Sequence, residues 1–171
     1  DVCSSDLILG SSGPSVKSSL DARAPRQGLV FDGTAYPSVV NVPAFGTSDW
    51  TLSAWINPTS LASTITIFSG IPSSCAFSVN ASVLNITQVD TGIGYNVNYA
   101  LPANKFSLVT ASKSSGVITF YVNGVSVGTV SDANNYTNPI NRIGTYYVYG
   151  NTFLGSILTP LIYNQIGRAH V

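Results

Sequence analysis

Glutamate is absent from all 171 residues, and charged side chains make up only 8% of the chain. Seven aspartates supply all the side-chain acid, and one histidine and two cysteines complete a short supply of reactive groups. Each shortage excludes a chemistry. Glycoside hydrolysis needs two carboxylates roughly 5–10 Å apart, one of them with a raised pKa. Here the aspartates stand singly, mostly beside turn residues, where an Asp side chain caps its own turn. A Ser-His-Asp or Cys-His nucleophile needs histidine, and an ordinary zinc site needs histidines or paired thiolates. Apolar runs stop well short of the ~20 residues of a membrane helix, so no membrane insertion is expected. No heptad or 3.6-residue period outlasts a single turn.

The two ends are related to each other. Ile166-Gly167-Arg168-Ala169-His170-Val171 can be encoded ATC-GGA-AGA-GCA-CAC-GTC, whose reverse complement reads Asp1-Val2-Cys3-Ser4-Ser5-Asp6. Two ends of one protein have no reason to be complementary strands, and this DNA string resembles a common sequencing-library adapter. Residues 1–7 and 166–171 are therefore expected to be adapter read-through on a metagenomic-type fragment, and are set aside. On that expectation Cys3 and His170 drop out, Cys75 is the lone cysteine, and the natural termini lie outside the sequence. Residues 8–27, rich in Ser, Gly and Pro without a period, read as a linker or extended arm. Residues 28–165 form the domain, expected to be truncated at its C-terminal end.

Residues 8–165 hold six basic and five acidic side chains, a net of +1. That balance argues against a nucleic-acid partner, which would demand a basic stripe. Few charges, many β-branched residues and frequent Gly, Pro and Asn turns describe an all-β domain.

The most informative stretch is 117–130, two alternating runs around Asn123-Gly124. That pair signals a two-residue type I′ hairpin, with positive φ at both positions. The simplest register pairs Val122 with Val125, Phe120 with Val127 and Ile118 with Thr129. Ile118, Phe120, Val122, Val125 and Val127 then share one face and need a second sheet to bury it. Further strands are expected at 29–31, 36–42, 50–56, 64–69, 76–79, 83–89, 94–99, 106–112, 140–143 and 154–163. Asn57-Pro58 is expected to close the 50–56 strand, with Leu52, Ala54 and Ile56 facing one way and Trp55 the other. Strands at this spacing make a sandwich or a barrel.

Gly28-Leu29-Val30-Phe31-Asp32-Gly33, then Trp50-Thr51-Leu52-Ser53-Ala54-Trp55-Ile56-Asn57-Pro58, then Thr119-Phe120-Tyr121-Val122-Asn123-Gly124 resemble the laminin-G-like domain of the concanavalin A-like lectin/glucanase superfamily. Gly155-Ser156-Ile157 through Leu161-Ile162-Tyr163-Asn164 resembles its closing strand. The resemblance implies a two-sheet antiparallel jelly-roll β-sandwich, with one concave sheet and loops at the rim. It also implies that Ca²⁺ can be held at the rim by Asp side chains and carbonyls, for which Asp90 and Asp132 are the candidates. No other cofactor is expected. Where the family commonly has Trp and His before the hairpin, this chain reads Phe106-Ser107-Leu108-Val109.

Aromatics carry the remaining functional signal, since sugar rings stack on exposed Tyr and Trp while Asn fixes hydroxyls. Tyr146, Tyr147 and Tyr149 crowd one loop next to Asn151, Tyr136 sits in another loop, and Trp55 faces away from its strand's apolar side. Each is also explicable as a lid over a core edge or as burial beneath a loop. The expectation is a non-catalytic binding or adhesion module of a larger extracellular or virion-surface protein, contacting carbohydrate or cell-surface protein. A structural decoration or assembly domain, with a homo-oligomer formed through the parent protein, is the alternative, and a glycoside hydrolase the third.

Overall fold

The computed structural model describes residues 28–34, 42–70, 75–88, 92–146 and 151–164. Among them every regular element is a strand: β1 (Gly28–Asp32), β2 (Trp50–Pro58), β3 (Ile65–Ser69), β4 (Cys75–Asn80), β5 (Val83–Gln88), β6 (Ile93–Ala100), β7 (Ser107–Ser114), β8 (Val117–Val122), β9 (Val125–Ser131), β10 (Arg142–Ile143) and β11 (Leu154–Tyr163). They pair into a six-stranded sheet, β1-β11-β2-β7-β8-β9, and a five-stranded sheet, β10-β3-β4-β5-β6. Neighbours within each sheet run antiparallel, and the two sheets make the strands a sandwich, settling the choice between sandwich and barrel that the alternating runs left open.

Alternation decides what fills the space between the sheets. Leu52, Ala54, Ile56, Val109, Ala111, Ile118, Phe120 and Ile157 point inward from one sheet, and Ile65, Ile67, Phe77, Val79, Leu84 and Ile86 from the other, all buried. Each large apolar side chain so buried contributes roughly 1.5–3 kcal/mol. Cys75 lies in the same core as a free, fully buried thiol.

The hairpin turn has the expected geometry, with φ of 52° at Asn123 and 80° at Gly124, and Val122 pairs with Val125. The rest of its ladder departs from the simple register. Tyr121 pairs with Ser126 but Phe120 with Gly128, so Val127 is the extra residue of a bulge, and Ile118 meets Val130 instead of Thr129. The cause lies across the sandwich. A Cβ on Gly128 would stand 2.7 Å from Val97 Cγ1 of β6. The bulge therefore brings the residue without a side chain to the point where β9 crosses close to β6. Val125, expected on the buried face, is 67% exposed at the hairpin tip, whereas Val127 packs half-buried against the core.

Other boundaries shift for local reasons. β2 runs through Asn57 and ends on Pro58, which pairs with Gly155 as the terminal rung of the ladder. β11 bulges between Leu158 and Leu161, around Thr159 at φ 46° and Pro160, which has no N–H to donate. The strand expected at 140–143 shortens to β10. The one expected at 36–42 falls outside the described residues except for Val42, whose N–H donates to the Ile140 carbonyl at 3.3 Å. β7 continues two residues beyond its expected end and so places Lys113 on its inward row.

Candidate functional site

On the five-stranded sheet the face turned away from the core is built from small polar side chains. Thr66 pairs with Ser78, Ser78 with Asn85 and Asn85 with Asn96, one polar row across β3, β4, β5 and β6. Beside it Ala76, Thr87 and Gly94 form a second, shorter row. A Cβ on Gly94 would lie 3.4 Å from Asn85 Nδ2 and 3.6 Å from Thr87 Oγ1. A larger residue there would occupy the floor beside both groups.

Asn85 is the hub of this face. Its carbonyl oxygen accepts from Ser78 Oγ at 3.2 Å and from Thr87 Oγ1, while its amide donates to Asn96 Oδ1 at 2.8 Å and to the Tyr95 carbonyl at 3.3 Å. Only 6% exposed, Asn85 is held rigidly and presents its neighbours in fixed positions. Thr64 donates to Asn80 Oδ1 at 3.1 Å, which orients a second outward amide. Thr66 Oγ1 is buried in the same lining without a hydrogen-bond partner.

Above this floor lies a hollow of about 320 Å³ lined by Thr66, Ser78, Asn85, Thr87 and Asn96 on the sheet, with Tyr146 and Asn151 at its rim. A second hollow of about 360 Å³ adjoins it at Asn80 and Asn96 and continues over Ala81, Val83 and Asn98. Both fall in the size range of small-ligand clefts. Burial pushes the Tyr146 phenol above its ordinary value of 10.0, so its hydroxyl stays a neutral donor.

The candidates read from the sequence separate into distinct places. Tyr146 and Asn151 meet at the hollow. Tyr147, Tyr149 and Asp90 lie outside the described residues. Trp55, 38% exposed, stands on the outward face of the opposite, six-stranded sheet, in register with Leu158 and Leu108. Tyr136, expected at a loop surface, is instead a core residue: it is 1% exposed, its ring edge-on to Trp50, its hydroxyl donating to Asp132 Oδ2 at 2.9 Å. With its ring packed and its hydroxyl engaged, it has no surface to offer a ligand. The polar rows themselves escaped the sequence reading, which sought aromatics in loops. Their signal was the alternation of Ser78 and Asn80, of Asn85 and Thr87, and of Asn96 and Asn98 with apolar residues.

Asp132 is buried as an ion pair with Lys113, Nζ to Oδ2 at 3.1 Å, with side chains 0% and 2% exposed. Its Oδ1 also accepts the Asn134 N–H at 3.1 Å and the Tyr95 hydroxyl at 3.3 Å. Lys113 donates further to the Asn134 carbonyl at 3.1 Å and lies 5.2 Å from the centre of the Tyr136 ring. A calcium ion at this carboxylate would have to displace protein donors and sit beside an ammonium group. Asp32 and Asp49 are engaged in turns, accepting the N–H of Thr34 and of Ser115, each at 2.8 Å. No cluster of three His, Cys, Asp or Glu side chains occurs among the described residues.

Solved structures share this architecture. Domain 4 of AbnA, an extracellular GH43 arabinanase of Geobacillus stearothermophilus solved in complex with arabinotriose, matches with a TM-score of 0.66 at 17% identity over 87% of this chain and 74% of its own. The CBM40 of a Ruminococcus gnavus IT-sialidase, bound to α2,3-sialyllactose, matches with a TM-score of 0.62 at 10% identity, covering 82% and 91%. A Bacteroides ovatus protein described as carbohydrate-binding gives 0.65 at 19% identity over 76% of this chain, which spans only 41% of that protein. At such identities the likeness concerns the fold. No curated protein matches the chain. A laminin-G-type family model matches residues 31–167, and the chain belongs to the concanavalin A-like lectin/glucanases superfamily.

Proposed function

We propose that this domain is a non-catalytic carbohydrate-binding module that takes its ligand in the hollow on the outward face of the five-stranded sheet. The observation that carries the reading is the polar row Thr66-Ser78-Asn85-Asn96, in which hydrogen bonds through Asn85 fix Ser78 and Asn96, opening into a cleft of ligand size. Asn amides and hydroxyls at fixed spacing suit the donors and acceptors of sugar hydroxyls, and Tyr146 offers an apolar ring face at the rim. The carbohydrate ligands named for the solved relatives support the same class of partner. The described aspartates are engaged in turns or in the Lys113 pair, which supports binding over hydrolysis. The setting that fits is a larger secreted, cell-surface or virion-surface protein used for adhesion, where display in several copies offsets weak single-site affinity.

Affinity electrophoresis through gels containing soluble polysaccharides tests this. Retardation of the native domain should weaken about tenfold in Asn96→Ala and Tyr146→Ala and stay unchanged in Trp55→Ala on the opposite face. Retardation lost in Trp55→Ala and kept in the other two would move the site to the six-stranded sheet. A second reading, contact with protein or with another copy, is favoured by that sheet's outward face, where Val30, Trp55, Leu161 and Tyr163 are all exposed.

A further inference from the structure

Resting on that reading of the groove, we infer that its ligand is an uncharged oligosaccharide of more than one unit, and that acidic sugars are excluded. The two hollows are lined by Thr, Ser, Asn, Ala, Gly, Val and one Tyr, and no charged residue lines either. Binding a sugar carboxylate in a cleft means taking an anion out of water, which is costly unless a cation pairs with it. Arg is the usual partner, through its fork of N–H donors. The only charged residue on the strands of this sheet is Arg142, on the edge strand β10, and it lines neither hollow. Residues 71–74, 89–91 and 147–150, which adjoin these strands and loops in sequence, contain no Lys or Arg, and Asp90 among them carries the wrong sign. The polar groups present are amides and hydroxyls, which answer a neutral sugar's hydroxyls one for one.

Length follows from the shape of the groove. The hollows adjoin at Asn80 and Asn96, so a ligand seated against Ser78, Thr87 and Tyr146 in the first is led past those two amides to Asn98 in the second. A single sugar ring engages one hollow only. Successive units of a linear chain engage both, and Asn98 matters only to a ligand long enough to reach it.

The test is titration calorimetry with neutral pentose and hexose oligomers of increasing length, alongside sialyllactose and oligogalacturonate. Neutral trimers should bind about tenfold or more tightly than the monomers. Their affinity should change less than about twofold between 0.05 and 0.5 M salt, because no ion pair is there to be screened. Asn98→Ala, a change at an exposed position lining the second hollow, should remove most of the gain with length, weakening the trimer far more than the monomer. Arg142→Ala should leave neutral binding unchanged. Tight, salt-sensitive binding of the acidic ligands, lost in Arg142→Ala or Asn96→Ala, would overturn this inference while leaving the groove as the site. Equal affinity for monomer and trimer would overturn the part that concerns length. Failure of every glycan to bind a domain shown folded by circular dichroism would overturn the groove reading and this inference together.

Discussion

Adjacent residues of β6 serve two polar clusters of opposite kind. Tyr95 donates its hydroxyl to Asp132 at 3.3 Å, in a cluster between the sheets with Lys113, Asn134 and Tyr136. Asn96, next along the strand, accepts from Asn85 on the outward face. The inner cluster is closed, because the Asp132 carboxylate is surrounded by one ammonium, two phenols and a backbone N–H, leaving nothing to offer a ligand. The outer one is open. Asn85 is fully engaged, yet Thr66 Oγ1 has no partner, and the exposed amides of Asn80 and Asn96 face the hollows. The two clusters thus differ not in polarity but in saturation, the outer one holding unsaturated polar groups around a saturated hub.

The difference breaks most visibly at the closed cluster. Lys113→Met removes the cation and leaves Asp132 buried with no opposite charge. Loss of one partner of a buried pair costs about 3–5 kcal/mol, a large share of a small domain's stability. Urea unfolding should show that loss as a lowered midpoint with an unchanged slope. A loss under about 1 kcal/mol would mean that the pair is in contact with water and that the cluster is not closed.

Alkali should attack the same region. Burial raises the Cys75 thiol far above its ordinary value of 9.0, with the Asp132 charge adding to the effect. Burial likewise raises the Tyr136 phenol above 10.0, with Cys75 and Asp132 contributing. Both groups keep their protons in the folded state at pH values where the unfolded chain has lost them. The stability they carry is thus fully present below about pH 9 and falls as pH rises past the unfolded values. Unfolding midpoints measured from neutral pH upward should stay level and then decline above about pH 9. Cys75→Ala should delay the start of the decline towards pH 10. A decline of the same size and onset in that variant would remove the thiol from the account.

What could be read in the sequence divides along the same line. The inward rows were legible because apolar residues alternate with polar ones around recognisable turns, so Leu52, Ala54, Ile56, Phe120 and Val122 fell where expected. Local rules could not foresee the bulge at Val127, because its cause is Val97, some thirty residues away on the other sheet. Nor could they separate Tyr136 from Tyr146. Both are tyrosines in loops between strands, and only the fold places one against Trp50 and Asp132 and the other beside a cleft. Lys113 lay hidden for a simpler reason. A lysine after Val109 and Ala111 looks like the end of an inward row, whereas a buried aspartate from beyond β9 meets it there. The groove went unread because Ser, Thr and Asn in alternation are what any solvated sheet face shows. Their distinction is the Asn85 hub, which appears only when β4, β5 and β6 come into register.

Thr66 gives the finest test of the contrast between closed and open. Its hydroxyl is buried at the lining of the hollow with no partner, and such an orphan carries a desolvation cost of about 1–3 kcal/mol. In the closed cluster no group is left in that state, and every change there is expected to destabilise. Thr66→Val keeps the shape and removes the orphan. The free domain should gain up to about 1 kcal/mol in urea unfolding, the sign opposite to that expected for Lys113→Met. If the groove retains that hydroxyl for recognition, the same variant should bind its oligosaccharide a few-fold more weakly in calorimetry, so that stability and affinity move in opposite directions. A variant that is both less stable and equally tight would show that the Thr66 hydroxyl belongs to the fold and that the open face ends at Ser78.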